Sequence, residues 1–236
     1  MKILAIDTAT EACSAALLIE DEAGQKMYTR YQLAPREHSR LILKMLDDLL
    51  AEAGLSVSDI DAIAFGQGPG SFMGLRIAAG VVQGIAFAQD IPVIPVSTLK
   101  AIAQRAHEET GSEHVLATID ARMDEVYWAA YSLQDQHWQL HDEERVISPE
   151  KITLPEMPAG TTWLAAGNGW ANYKDRLLQT ANCKLPTILS ECFPSAEVIA
   201  KLAAKEFKAG NTVPAAEAIP VYLRNDVARK PKPVVL

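Results

Sequence analysis

Two acids and one glycine-rich turn stand where this chain could do chemistry. Asp7 closes the apolar run Ile3-Leu4-Ala5-Ile6, and Asp120 closes Val115-Leu116-Ala117-Thr118-Ile119. A carboxylate at the end of a buried strand either caps a turn or holds a cation beside a phosphate. The turn is Gly66-Gln67-Gly68-Pro69-Gly70-Ser71-Phe72-Met73-Gly74-Leu75-Arg76, which follows the apolar run Ala62-Ile63-Ala64-Phe65. Its glycines and proline let the backbone bend sharply and leave room for something to come close. Ser71 reads as an N-cap, and the free N–H groups after it suit an anion or nothing more than a tight connection. No Gly-Lys-Ser/Thr follows, so this is not a phosphate-binding P-loop. The glycine spacing also fails the dinucleotide fingerprint.

Other reactive groups do not assemble into a site. Of the five histidines, only His137 and His141 are four apart. Trp138 and Leu140 make that stretch a strand, which separates the two rings. Cys13, Cys183 and Cys192 form no metal pattern, and their odd number gives no disulfide framework, as in a reducing cytoplasm. No Ser, Cys or Lys has an identifiable base.

The elements that must position the acids repeat. Cys13–Ile19 and Lys26–Gln32 read as strands, and Leu41, Ile42, Met45, Leu46, Leu49 and Ala53 give His38–Ala53 a helical period that Gly54 stops. Strand 62–65, helix Phe72–Gln89, strand Pro92–Val96 and helix Thr98–Glu108 follow. The pattern then restarts with 115–120, Glu125–Tyr131 and Gln136–His141, and Trp163-Leu164-Ala165-Ala166-Gly167-Asn168-Gly169 echoes 62–68. This predicts an α/β chain with an internal duplication: two related lobes, each a mixed sheet flanked by helices. The lobes are expected at 1–100 and 101–215, with a C-terminal segment and basic tail at 216–236. That is the plan of the actin, sugar-kinase and heat-shock ATPase superfamily, in which the first hairpin of each half cradles phosphates. Asp7 and Asp120 occupy the positions of its metal-holding acids, so an ATPase or kinase using them is the alternative reading.

Composition narrows the classes. The chain has 236 residues, 49% hydrophobic and 22% charged, enough for a packed core. A net charge of −8 argues against gripping nucleic acid over a broad surface. Asp7 and Glu11 interrupt the N-terminal apolar run, so no signal peptide is expected. The most apolar helix carries Arg76, Gln83 and Gln89, so neither is a membrane span.

Five segments in order resemble the bacterial TsaB (YeaZ) family: Ile3–Thr10, Arg36-Glu37-His38-Ser39, Gly66–Arg76, Ile119–Tyr127 and Pro220-Val221-Tyr222-Leu223-Arg224. The resemblance implies the duplicated superfamily fold, and a cytoplasmic role in making N6-threonylcarbamoyladenosine in tRNAs that read codons starting with A. It implies a non-catalytic partner of the paralogue TsaD, acting with the ATPase TsaE and meeting tRNA through the complex. The old glycoprotease label of the family comes from that paralogue. The paralogue's metal-binding histidine pair on the helix after strand 92–96 is replaced here by Thr98 and Ile102, so no cofactor is expected in this chain; ATP and metal belong to the partners. Met73 stands where the family usually has Thr, which removes a hydroxyl beside the turn.

Helix 72–89 is apolar nearly all round and carries Gly74, Ala78, Gly80, Gly84 and Ala88, small residues that allow another helix close approach. Helix 38–53 has Leu43 and Leu50 off its main stripe. With Leu46, these residues form the expected partner surface, which the family uses to dock TsaD and which a lone chain would bury in a homodimer. Asp7, Gly68, Pro69, Gly70, Ser71 and Asp120 form the motif loops. Arg224, Arg229, Lys230 and Lys232 make the C-terminal end basic, a candidate tRNA contact.

Overall fold

The computed structural model describes residues 1–156, 158, 160–181 and 187–224. Strands β1 (Lys2–Asp7), β2 (Ala12–Asp21) and β3 (Gly24–Leu33) form an antiparallel meander. Helix α1 (His38–Ala53) leads to β4 (Ala62–Gly68), α2 (Phe72–Gln89), β5 (Val93–Ser97) and α3 (Thr98–Thr110). The second half runs β6 (His114–Arg122), β7 (Glu125–Gln134), β8 (His137–Ile147), β9 (Leu164–Ala166), α4 (Gly169–Ala181), β10 (Ile188–Leu189) and α5 (Ala196–Lys208). The first sheet has the order β3-β2-β1-β4-β5 and the second β8-β7-β6-β9-β10. Antiparallel and parallel pairings match position for position, with β4 parallel to β1 and β9 parallel to β6. The duplication read from two sequence echoes is therefore a duplication of topology, and the fold is the superfamily plan.

The second copy is the reduced one. Among the described residues, the 3-10 turn Pro149–Lys151 stands where the first copy has α1, and β9 and β10 have three and two residues. β8 runs six residues beyond the expected end at His141, because Arg145, Val146 and Ile147 still pair with β7 across a bulge.

Strand β1 shows why its sequence is apolar without alternation. It is covered on both faces, with Ile3 and Ala5 in one core and Leu4 and Ile6 in another. Ile3, Leu4 and Ile6, fully buried, contribute about 1.5–3 kcal/mol each. The outer core lies under α1 and α2. The inner core lies between the sheets and is filled by α3 and α5, which cross over. Helix α5, from the end of the chain, packs on β1, β2 and β4, while α3 packs on β6 as well as on β4 and β5. The α5 face made by Val198, Ile199, Leu202 and Ala203 and the α3 face made by Leu99, Ile102 and Ala106 share one core with both sheets.

Helix ends follow their local chemistry. Gly54 closes α1 in the left-handed conformation at φ 67°, as its sequence position predicts. Ser97 and Ser195 cap α3 and α5 through their side-chain oxygens, which accept from Lys100 N and Val198 N. Helix α2 is long and apolar enough to cross a membrane by length and composition alone. Here one face lies on β4 and the other is open.

Candidate functional site

The glycine turn is filled from within the chain. A Cβ on Gly74 would stand 1.9 Å from the carbonyl oxygen of Thr8, and one on Gly70 would stand 2.5 Å from that of Ala9. Thr8 Oγ1 donates to Gly74 O at 2.7 Å, and Ser71 N donates to Ala9 O at 2.7 Å. What comes close to these glycines is the β1–β2 turn, Thr8-Ala9-Thr10. Ser71 caps α2 by accepting from Gly74 N at 3.3 Å. Gly68 has φ 115°, and Val221 N of the C-terminal segment donates to Gln67 O beside it at 2.8 Å. The second copy repeats the interlock: a Cβ on Gly167 would meet the Thr118 carbonyl at 1.9 Å. Gly74→Ala is therefore expected to force backbone apart and destabilise the chain by about 3 kcal/mol or more. Chemical denaturation reads this, and a loss under about 1 kcal/mol would show that the turn yields instead.

The two acids have different environments. Asp7 is fully buried, and it does not line the cleft between the lobes. Its Oδ1 accepts from Ala9 N at 3.2 Å, while Oδ2 has no partner among the described residues and faces Gly66, whose Cβ would stand 2.0 Å away. Burial pushes its carboxyl up to about 7, against the lowering pull of the Ala9 N–H. Asp120 does line the cleft but is saturated. Arg122 Nη1 and Asn172 Nδ2 each donate to Oδ2 at 2.9 Å, and Arg122 N donates to Oδ1 at 2.8 Å. A cation bridging the two carboxylates would need Asp7 unburied and Asp120 stripped of its donors. These residues do not fit a bound metal. Among the described residues, no three His, Cys, Asp or Glu side chains come together as a cage.

A cleft of about 720 Å³ opens between the lobes. Its wall includes Thr10 and Glu11 from the first hairpin, Arg36 and His38, then Gly70, Ser71, Phe72 and Arg76. Asp120, Arg122, Tyr127 and Asn168 come from the second lobe, and Tyr222 and Arg224 from the C-terminal segment. Contacts cross it: Asn168 Nδ2 donates to Glu11 at 3.1 Å, Arg122 lies 3.8 Å from Glu11, and Arg224 pairs with Glu125 at 2.5 Å. Of these arginines the sequence singles out Arg224 alone, as part of a basic C-terminal end, and gives no reason to group it with Arg36, Arg76 and Arg122. Arg36, Arg76, Arg122 and Arg224 each sit in one of the five segments.

Among the described residues no cysteine lines the wall, and the Ser71 hydroxyl there caps α2. Burial and the charge of Asp7 push the Cys13 thiol up to about 11, and burial pushes Cys192 up to about 12. Cys183 lies outside the described residues. His141 meets Ser132 and, through it, His114, rather than His137. Ser132 is fully buried between the two partly exposed histidines.

The expected partner residues divide by exposure. Leu43, Gly80, Gly84 and Ala88 are on the surface. Leu46, Leu50 and Ala78 are buried in the outer core, and Gly74 is buried against Thr8. These four give no surface to a partner, and Leu50, expected to face outward, is 5% exposed because the α1 stripe that packs on the sheet is wider than a/d spacing suggests. The open face of α2 instead adds Met73 and Phe87, which are 63% and 84% exposed. Arg224 is held by Glu125 and does not belong to a free tail; Arg229, Lys230 and Lys232 lie outside the described residues.

Comparison with known proteins supplies the context for this geometry. The family model "TsaD: tRNA N6-adenosine threonylcarbamoyltransferase" matches residues 25–232. A relative from Escherichia coli, named tRNA threonylcarbamoyladenosine biosynthesis protein TsaB, is 41% identical over 99% of both chains. One of the same name from Haemophilus influenzae is 39% identical over 99% of this chain and 98% of its own. The solved structure of YeaZ from Pseudomonas aeruginosa superposes with a TM-score of 0.86 at 45% identity, covering 94% of this chain and 99% of that one.

Proposed function

This chain belongs to the TsaB family, and from that premise we propose that it is a non-catalytic partner of a TsaD paralogue in making N6-threonylcarbamoyladenosine in tRNA. The observation that carries the reading is the open face of α2. Met73, Gly80, Gly84, Phe87 and Ala88 lie on one side of that helix, and Leu43 is the exposed leucine of α1. Large apolar side chains set beside glycines form a surface that a second helix can approach closely. A stable pair buries about 1,200–2,000 Å² in total. A chain of the same fold is a fitting partner, and a second copy of this chain takes its place when the partner is missing.

The cleft supports the non-catalytic part of the reading. Asp7 faces Gly66 and Asp120 is held by Arg122 and Asn172, so neither is placed to hold a metal ion at a substrate phosphate. That also weighs against an ATPase or kinase working through these two acids. ATP and metal chemistry would then reside in TsaD and TsaE, and tRNA would be met by the assembled complex in the cytoplasm.

Reconstitution tests this. Unmodified tRNA, the TsaD paralogue and the TsaE ATPase are expected to yield modified nucleoside only when this chain is added. Product at the same rate without it, or ATP turnover by this chain alone, would overturn the reading.

A further inference from the structure

After α5 the chain turns back over the first lobe. Val213 pairs with Val93 at the edge of β5, with N–H to O distances of 2.8 Å in both directions. Ala218 is fully buried in the outer core, and its carbonyl accepts from Gln83 Nε2 of α2 at 3.1 Å. Val221 N donates to Gln67 O at 2.8 Å. The Tyr222 ring lies 5.5 Å from that of Phe72, and its hydroxyl accepts from Arg76 Nε at 3.1 Å. Arg76 in turn stacks on Phe72, 3.6 Å from the ring centroid. Residues 213–222 are thus fixed to the first lobe along their whole length.

Arg224 then reaches the second lobe. Its Nη2 donates to Glu125 Oε2 at 2.5 Å and to Arg122 O at 3.3 Å, and its Nη1 donates to Met123 Sδ at 3.6 Å. All three partners belong to the β6–β7 turn. That turn needs an outside hold: Arg122, Met123 and Asp124 have φ of 60°, 58° and 60°. The left-handed region is disfavoured for side chains with a Cβ, and three such residues in succession persist only where their surroundings impose it. Arg224 supplies a donor to the turn's own carbonyl and a charge to the carboxylate at its end.

The lobes are joined elsewhere by the core that α3 and α5 share with both sheets. One such join acts as a hinge, and a second join on the cleft wall removes its freedom. The other ion pair across the cleft is a poor candidate for that task. Arg122 and Glu11 are 3.8 Å apart, with side chains 75% and 38% exposed, so water screens them. The Arg224 side chain is 15% exposed, and its hydrogen bonds are charge-assisted.

We propose that residues 213–224 form a strap that latches the second lobe to the first, with Arg224 as the fastening residue on the β6–β7 turn. Tyr222 and Arg224 both line the cleft, so widening the cleft first breaks the Arg224 contacts. Release starts at that tip, passes through Val221 and stops at the Val213 pairing. The latch needs neither a ligand nor a partner on the open face of α2.

Two measurements on the full chain test it. Amide hydrogen exchange by NMR reads the strap, with Val221 as the reporter of its tip and Val213 of its root. Pulsed electron resonance reads lobe separation, with nitroxides on Lys44→Cys of α1 and Lys174→Cys of α4, both exposed positions, in a chain with Cys183 replaced by serine; Cys13 and Cys192 are buried. Arg224→Gln and Glu125→Gln should each speed Val221 exchange about ten-fold or more, leave Val213 unchanged, and broaden the distance distribution. The double variant should do no more than the stronger single one, because both break the same tie. Arg145→Gln, which removes ion pairs on β8, should leave both readouts at wild type. Glu125→Gln leaves the strap's own residues intact and decides the matter if Arg224→Gln lowers the melting temperature. Val221 exchange at the wild-type rate in both variants would overturn the latch. So would faster exchange with an unchanged distance distribution, or fully additive effects of the two substitutions.

Discussion

A Gly84→Arg chain is expected to lose its TsaD partner while melting at the wild-type temperature. Gly84 is exposed on α2, and a Cβ there meets nothing within 4 Å, so the isolated chain accommodates the new side chain. At a helix contact the same side chain is a wedge, and its charge would be desolvated without a partner. The expected loss of affinity is about 100-fold or more, which corresponds to roughly 2.7 kcal/mol. Phe87→Asp on the same face should act in the same direction, because a central aromatic anchor carries an outsized share of pairing energy. Pull-down and thermal melts measured together decide the matter. Wild-type affinity for both variants would move the interface off α2. Leu50→Asp is not an equivalent test, since Leu50 is buried and a carboxylate there would attack the core before any partner arrives.

Raising the pH should weaken the wild-type fold, and Asp7→Asn should remove most of that dependence. The folded-state carboxyl of Asp7 titrates at about 7, above the 3.8 of an unperturbed aspartate, because it is buried. Between these values the folded state holds a proton that the unfolded state has released. Stability therefore falls as pH rises from about 4 to about 7, and levels off above. A gap of about 3 units sets an upper scale of about 4 kcal/mol. Asparagine has the shape of the protonated acid and cannot ionise, so the variant should be the more stable chain at pH 8. If Asp7 does no chemistry, Asp7→Asn should also keep reconstituted activity within a few-fold. A 100-fold loss with a normal fold would give Asp7 a direct part in the reaction. A flat stability profile for the wild type from pH 4 to 8 would show that its carboxylate is solvated after all.

The architecture was legible because its signals are local and repeated. Apolar runs ending in an acid, and apolar runs ending in Gly-Xaa-Gly, occur in the same order in both halves, and each maps to a strand in the same place of its sheet. Periodicity placed α1 and α2 well, yet it misjudged which α1 residues face outward. Leu46 and Leu50 read as offering surface, but the helix sits in a trough between the sheet and α2 that covers more than one stripe. The role of the glycine turn was half legible. Glycines announce a close approach, but a single chain does not say whether the visitor is a ligand or the chain's own β1–β2 turn. The cleft was least legible. Its arginines are scattered from 36 to 224, and only the fold brings them to one wall. No periodicity or spacing encodes a convergence of that kind.

The crossing of α3 and α5 sets the order in which this protein can be completed on the ribosome. The first sheet is synthesised early, but the helix that covers the inner side of β1, β2 and β4 begins at residue 196, about 100 residues after β5 ends. At a bacterial pace of translation that interval lasts about 5–20 s. Throughout it, Ile3, Ala5, Ala16, Leu18, Ala62 and Ala64 present an apolar floor with no lid of their own. A fragment ending before α5 is expected to leave that floor exposed to other apolar surfaces. The two copies share one core, and α5 is the element that closes it over the first sheet.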